Sequence, residues 1–431
     1  MQRALVLGGY GLIGAACMRS LAAAGFEVAG LGRSHRAAMA SNPRGRWIIR
    51  DITSLTDAEW SGLLSEADVV VNASGALQNG SRDNLEAIHT AAAARLAQAA
   101  SALPVRVIQI SAAGVSEDAS TDFFRSKARG DATIAAQARD WVILRPALVL
   151  SPEAYGGTAL LRAAAALPLM MPQVIPDSRI QTVDVQDVAS AVTAAAQGKI
   201  PSGTIADLAE AGTQSLPELT EALRSWLGLP PPRFRPALSA PVLRFAGKAA
   251  DLLGWLGWRS PLRSNALTAL ADGIRGDPAA WEQAGGQPCR PLADTLARMP
   301  ATRQERLFAR FYVLLPLAIA TLSLFWCASG LITLLDPERA IEVLTTRGFP
   351  AVAASFTVFG GVLADTLLGI AILWRSRVRQ AAAGMALLSG AYLAGSLAAA
   401  PDLWLDPLGP MVKVLPGMML AVMVWAVTEE R

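Results

Sequence analysis

Seven residues near the start, Gly8-Gly9-Tyr10-Gly11-Leu12-Ile13-Gly14, satisfy both the GxGxxG and the GxxGxxG spacing. Glycine at these positions permits a tight turn, lets the backbone approach a pyrophosphate closely, and allows a helix to pack on a strand. The free N–H groups of the helix that follows then face the phosphates. The run comes directly after the apolar stretch Ala4–Leu7 and before an alanine-rich segment, which is the context a dinucleotide site requires. After the second apolar run, Glu27–Leu31, the carboxylate that would hold an adenosine 2′-hydroxyl is missing. Gly32 stands there, followed by Arg33 and Ser34. That exchange removes repulsion of a 2′-phosphate and supplies a charge-assisted partner for it, so NADP(H) is expected ahead of NAD(H). The competing reading makes Arg33 a solvated loop cation, in a chain where only four of 38 cationic residues are lysine: Lys127, Lys199, Lys248 and Lys413.

Two further charges stand out because of where they lie. Asp365 and Lys413 fall inside long apolar stretches, and an ionisable group at such depth usually faces a protein interior and marks function. Straight helices would leave the two offset by about 12 Å along the bundle axis. They are expected to line a polar membrane site for a quinone or another amphiphile. The plainer alternatives are snorkelling for Lys413 and a structural hydrogen bond for Asp365.

The elements that must position these residues divide the chain. Short apolar runs at Ala4–Leu7, Glu27–Leu31, Trp47–Ile49, Asp68–Asn72, Val105–Ile110 and Trp141–Leu144 alternate with alanine-rich helical segments. This alternation predicts an α/β domain over residues 1–230, a Rossmann-type doubly wound parallel sheet with helices on both faces. Residues 311–335, 351–374, 381–400 and 407–427 carry almost no charge, and each is long enough to cross about 30 Å of hydrocarbon. An all-α four-helix transmembrane domain is therefore expected over residues 306–431.

Arg303, Arg306 and Arg310 precede the first span, and Arg375, Arg377 and Arg379 join the second to the third. By the positive-inside rule the N-terminal domain and the Arg431 tail are expected in the cytoplasm, with the chain multi-pass in the inner (plasma) membrane. The loop over 336–350, with Arg339 and Arg347, fits this less cleanly. Residues 231–305 read as a helical connector that either lies in the headgroup region or packs on the first domain.

With 52% hydrophobic and 17% charged residues the chain is not disordered, and a net charge of +3 leaves no broad footprint for nucleic acid. Three scattered cysteines and two histidines form neither a disulfide framework nor a metal set. The apolar opening is broken by glycine too soon for an export signal.

These residues resemble the extended, epimerase-like branch of the short-chain dehydrogenase/reductase superfamily. The likeness covers roughly residues 1–230 and rests on the glycine loop, Asp51-Ile52-Thr53, Val70-Val71-Asn72-Ala73-Ser74-Gly75, Ile110-Ser111-Ala112-Ala113, Leu144-Arg145-Pro146-Ala147 and Gln181–Ala189, with Asp184 where the family often has histidine. The resemblance implies that Asp51 and Ile52 lie near the adenine and that Asn72, Ala73, Ser74 and Gly75 border the cofactor. It also implies that Ser111 polarises the substrate oxygen and that Lys127 binds the nicotinamide ribose.

The family's working pair is YxxxK, in which lysine lowers the phenol pKa for proton exchange with a carbonyl or hydroxyl. Here the segment reads Phe123-Phe124-Arg125-Ser126-Lys127, with phenylalanine in the tyrosine position. Of the four tyrosines only Tyr155 is a candidate substitute. The pattern is similar to atypical members like the accessory Rossmann subunit of respiratory complex I, which are regarded as largely structural. The C-terminal part resembles the DoxX-like family of four-helix membrane modules. The expectation is a membrane-anchored, NADP(H)-binding oxidoreductase on a lipophilic, quinone- or lipid-like substrate. Its rival is a non-catalytic cofactor-binding structural or assembly factor, with a homo-oligomer or a membrane complex as partner.

Overall fold

The first strand, β1 (Arg3–Leu7), shows how the sheet is built. Ala4 and Val6 enter one buried cluster and Leu5 and Leu7 another, so the strand is covered on both faces. A computed structural model describes residues 1–80, 83–258, 260–407 and 409–428. Arg431, expected on the cytoplasmic side, lies outside them. Among the described residues two compact units form, one of residues 1–251 with 260–309 and one of 252–259 with 310–431.

In the first unit β1 is followed by α1 (Leu12–Ala23), β2 (Glu27–Gly32), α2 (His35–Ser41), β3 (Arg46–Ile49), α3 (Asp57–Ser65) and β4 (Val69–Asn72). A wide π turn (Glu86–Ala91) then leads into α4 (Ala92–Ser101), β5 (Arg106–Ile110), α5 (Asp122–Gln137) and β6 (Asp140–Pro146). Next come β7 (Leu148–Leu150), α6 (Gly156–Ala165), β8 (Arg179–Ile180), β9 (Thr182–Asp184), α7 (Val185–Ala196) and β10 (Thr204–Leu208). The main sheet has seven parallel strands in the order β10-β6-β5-β4-β1-β2-β3. This is the doubly wound arrangement, with α1 and α7 over one face and α3 and α4 over the other.

The unit continues past residue 230. It includes β11 (Gln214–Ser215), α8 (Leu216–Trp226), most of α9 (Ala240–Trp255), α10 (Ser264–Asp272), α11 (Ala279–Gln283) and α12 (Leu292–Arg298). α8 ends at Trp226, ahead of the left-handed Gly228 (φ 65°), and the triple proline at 230–232 that follows does not end the packing. Ile274 exchanges backbone bonds with Arg179 and Gln181, Trp281 is buried in the first core, and Arg290 bridges Asp184 and Asp187 at 2.6 and 2.9 Å.

The second unit contains α13 (Arg303–Leu335, from Arg310 on), α14 (Pro337–Thr345), α15 (Ala351–Ala371), α16 (Val378–Ala399) and α17 (Val414–Val427). α13, α15 and α16 are long and apolar enough to cross a membrane. The fourth expected span, 407–427, is helical only over 14 residues, about 21 Å. Pro407, Pro410 and the left-handed Gly409 (φ 58°) precede the helix and keep it from starting earlier.

Small residues let α13 and α15 approach closely. A Cβ on Gly330 would lie 2.5 Å from Thr366 Oγ1, and one on Gly369 would lie 2.6 Å from Cys327 Sγ. Ile319, Leu322, Trp326, Met385 and Ala421 fill the centre, while Leu324, Ile332, Phe356 and Leu387 point outward and exposed, as lipid-facing residues would.

Candidate functional site

The strand order reverses between β2–β1 and β4, so a crevice opens at the carboxyl ends of β1 and β4. Two loops meet across it. Gly8 has φ 71°, and a Cβ there would lie 2.8 Å from Ala73 O and 2.9 Å from Ser74 Cα. A Cβ on Gly14 would overlap Gly8 O, a backbone atom unable to retreat. The glycines at these two positions are therefore dictated by closeness of backbone to backbone. Gly9 packs against Met18 and Gly30, and Gly11 caps α1 in extended conformation. The N–H groups of Leu12, Ile13 and Gly14 precede the first intrahelical bond, Ala15 N–H to Gly11 C=O, and form the anion-facing end of α1.

At the end expected to take the adenosine, the Tyr10 ring covers Gly32, and its hydroxyl accepts the Arg33 N–H at 3.2 Å. A pocket of about 340 Å³ is lined by Arg33, Asp51, Thr53, Asn79, Asp83 and Ile88 among others. Asp51 accepts from Thr53 N–H and Oγ1 at 3.0 and 2.8 Å, Ile52 is buried in the core, and Ser34 caps α2 by accepting from Ala37 N–H. Arg33 is paired with Asp83 at 2.6 Å. Burial opposes its charge most, but the bond and charge of Asp83, together with Asp51 and Tyr10, outweigh it and raise its pKa. Asp83 sits 50 residues away, and no local pattern points to it.

At the end expected to take the nicotinamide, Asn72 donates to Gln109 at 2.8 Å and accepts from the Ser74 N–H and hydroxyl, which fixes the β4 loop. Phe123, Lys127 and Asp131 follow at one-turn spacing on α5. The Lys127 ammonium donates to Ile110 C=O at 2.9 Å and lies 5.8 Å from the centre of the Phe123 ring. Burial pushes its pKa down to about 8, with Asp131 opposing. A Cβ on Gly75 would lie 3.4 Å from His89 Nε2 and 3.9 Å from Lys127 Nζ, so both groups face the β4 loop.

His89, absent from the sequence-derived site, accepts from Ala76 N–H through Nε2 at 3.2 Å. Its proton must therefore be on Nδ1, which donates to Ser126 Oγ at 2.9 Å. Burial and then Lys127 press its pKa down to about 3, so the ring is neutral. It packs edge-on against Phe123, with centroids 5.6 Å apart.

Ser111 is engaged in a way its position did not foretell. Its side chain is buried and donates to Asp131 Oδ2 at 2.7 Å, and the same carboxylate holds Arg145 at 3.1 Å. Burial raises the pKa of Asp131, against the pull of Ser111, Lys127 and Arg145. The i,i+4 spacing of Lys127 and Asp131 was the one sequence signal for this group. Tyr155 precedes α6 and is 62% exposed.

In the second unit Asp365 is buried and accepts from Ser329 Oγ at 2.8 Å and Tyr392 Oη at 2.9 Å, joining α13, α15 and α16. Lys413 is exposed at the residue before α17. The two are not brought together; the bonds to Asp365 come from hydroxyls.

Residues 4–206 match the NAD dependent epimerase/dehydratase family and residues 323–422 match the DoxX-like family. No protein of curated function matches the chain. Among solved structures, the Bordetella bronchiseptica enzyme WbmH, in complex with NAD+, aligns with a TM-score of 0.53 at 18% identity, over 69% of this chain and 97% of that one. The UDP-glucose 4-epimerase of Thermotoga maritima, solved with UDP-glucose, aligns at 0.52 and 14% identity, over 73% of this chain and 100% of that one. At these identities the likeness establishes the fold. Both alignments span more of the chain than residues 1–230 contain, in keeping with the packing of residues 260–309. The chain thus carries a domain like those of the NAD dependent epimerase/dehydratase family over residues 4–206 and a DoxX-like domain over residues 323–422.

Proposed function

We propose that this protein is a membrane-anchored NADP(H)-binding factor whose first unit holds the dinucleotide without the family's phenol-based proton transfer. One observation carries the reading. The two hydroxyls expected to work on a substrate are both withdrawn, since Phe123 has none and the Ser111 hydroxyl is spent on buried Asp131. The next residue, half-buried Ala112, offers only a methyl group. The cradle itself is intact in Gly8, Gly9, Gly11, Gly14, Asn72 and Lys127. When bound, the dinucleotide would supply hydride chemistry. The α1 N-terminus would hold its pyrophosphate, Lys127 its ribose, and Arg33 a 2′-phosphate once released from Asp83.

Arg347 supports the proposed topology, with the first unit in the cytoplasm. Its guanidinium pairs with Asp402 at 3.2 Å, which neutralises a cation on the side the rule would leave uncharged. A second reading, oxidoreduction of a lipophilic substrate such as a quinone, is favoured by Lys127. An ammonium with a pKa of about 8 is itself a competent acid near neutral pH.

The test uses the full chain in detergent. NADPH is bound, and its 340 nm absorbance is followed with a short-chain quinone and a carbonyl panel. Binding without turnover is the expected result. Turnover that disappears in Lys127→Ala would establish the oxidoreductase, and absence of binding would overturn both readings.

A further inference from the structure

We propose that α9 lies in the headgroup layer of the bilayer as an interfacial helix, with its apolar edge immersed. The proposal does not depend on what the dinucleotide cleft does. Val242, Phe245, Leu252 and Leu253 fall within an arc of about 100° on the helix, and Phe245 and Leu252 are 76% and 70% exposed. Only Gly247 and Ala250 are buried. Gly247 faces the protein, where a Cβ would lie 3.1 Å from Ser264 Oγ and 3.2 Å from Leu267 Cδ1. Arg244 and Lys248 flank the apolar arc on one side, and exposed Trp255 shares that flank. An apolar edge bordered by cations and tryptophan is the pattern of a helix at a membrane surface.

The chain itself identifies the occupant of this edge. The last turn of α9, from Leu252 to Trp255, and the turn that follows it to Trp258 belong to the membrane unit. There Trp258 Nε1 donates to Leu373 C=O at 2.7 Å, Arg375 N–H donates to Leu256 C=O at 2.9 Å, and the Arg375 guanidinium stacks 5.7 Å from the Trp258 ring centre. Leu373 and Arg375 follow the C-terminal end of α15, where the chain leaves the hydrocarbon-length helix and carries Arg375, Arg377 and Arg379. The C-terminal end of α9 is therefore tied to the water boundary of a span. Lipid is then the solvent available to Phe245 and Leu252, and the phosphate level to Arg244 and Lys248.

The experiment uses the full chain with Cys289→Ala and Cys327→Ala, leaving buried Cys17 in place. A single environment-sensitive nitrobenzoxadiazole label is attached through Phe245→Cys, Lys248→Cys or, as a remote exposed control, Ala23→Cys. Each protein is reconstituted in vesicles of phosphatidylcholine and phosphatidylglycerol carrying a nitroxide near the headgroup end of the acyl chain. The label at 245 is expected to be blue-shifted and quenched several-fold more by the lipid nitroxide than the control, with the label at 248 in between. Iodide quenching at 245 equal to the control would overturn the proposal. Shielding at 245 from both iodide and nitroxide would also overturn it, because protein would then cover the edge.

Discussion

Replacing Lys127 with methionine separates what this residue does for the fold from what it does for the cofactor. Methionine keeps most of the stem volume and removes the charge. Burial lowers the ammonium's pKa from 10.5 to about 8, which at about 1.36 kcal/mol per unit is roughly 3 kcal/mol against the folded state at pH 7. Losing the bond to Ile110 C=O returns about 1 kcal/mol of that. Lys127→Met is therefore expected to be more stable by about 2 kcal/mol in the absence of cofactor, raising the melting temperature of the first unit by about 4 °C. Between pH 8 and 10.5 the unfolded chain holds a proton that the folded chain has released, so the parent gains stability as pH rises through that window. The variant lacks this gain, so its advantage should shrink towards pH 10.5. The assay is tryptophan-fluorescence melting of the full chain in detergent at pH 7 and pH 10, alongside NADPH titration. The same substitution should weaken NADPH binding. A lower melting temperature at pH 7 with unchanged NADPH affinity would refute the reasoning, since the lysine would then be serving the fold.

Three other outcomes follow from the same geometry. Gly14→Ala should abolish measurable NADPH binding while the helical circular-dichroism signal persists, because the new methyl overlaps Gly8 O; retained affinity would mean that the loop relaxes. Arg33→Ala should cost NADPH about tenfold in affinity, a typical loss for one charge-assisted bond, and leave NADH within about twofold; equal losses for both would remove the case for a 2′-phosphate site. In the membrane unit, Tyr392→Phe should cost about 0.6 kcal/mol in detergent unfolding, whereas Asp365→Leu, which strips the shared acceptor from both hydroxyls, should cost about 1 to 2 kcal/mol. Equal effects would mean that Asp365 is not the hub of that contact.

Parts of this architecture that depend on local pattern were legible in the sequence, and parts that depend on distant pairing were not. Six of the seven strands announce themselves as apolar runs because parallel strands are covered on both faces. The seventh, Thr204–Leu208, pairs only with β6 and contains Ala206 and Asp207, so its pattern is too weak to separate from a loop. The glycine loop is legible because backbone crowding dictates residue type directly. The engagement of Ser111 by Asp131, of Arg33 by Asp83 and of His89 by Ala76 and Ser126 joins residues 13 to 50 positions apart, and no spacing rule reaches across a sheet. Lys413 shows the opposite error. An apolar count placed it inside a span, but Pro407, Gly409 and Pro410 delay the helix until Val414.

The arrangement around α5 bears on why a phenol is missing while its lysine remains. Phe123 and His89 pack edge-on and shield one side of Lys127, and the neutral imidazole is fixed by bonds at both nitrogens. A hydroxyl on the Phe123 ring would need a hydrogen-bond partner of its own, while the nearby Lys127 ammonium, 5.8 Å from the ring centre, already donates to Ile110 C=O. Phenylalanine removes that cost and leaves Lys127 with a carbonyl partner and a face towards the β4 loop. A site shaped by turnover would keep the phenol despite the cost, whereas one shaped by holding a dinucleotide gains stability without it and still has to retain the buried lysine. Phe123→Tyr is the direct comparison. It should lower the melting temperature of the cofactor-free protein and leave NADPH affinity nearly unchanged. If it also produces NADPH oxidation with a quinone or carbonyl that the parent does not oxidise, the fold retains a productive substrate pocket and only the proton donor has been lost.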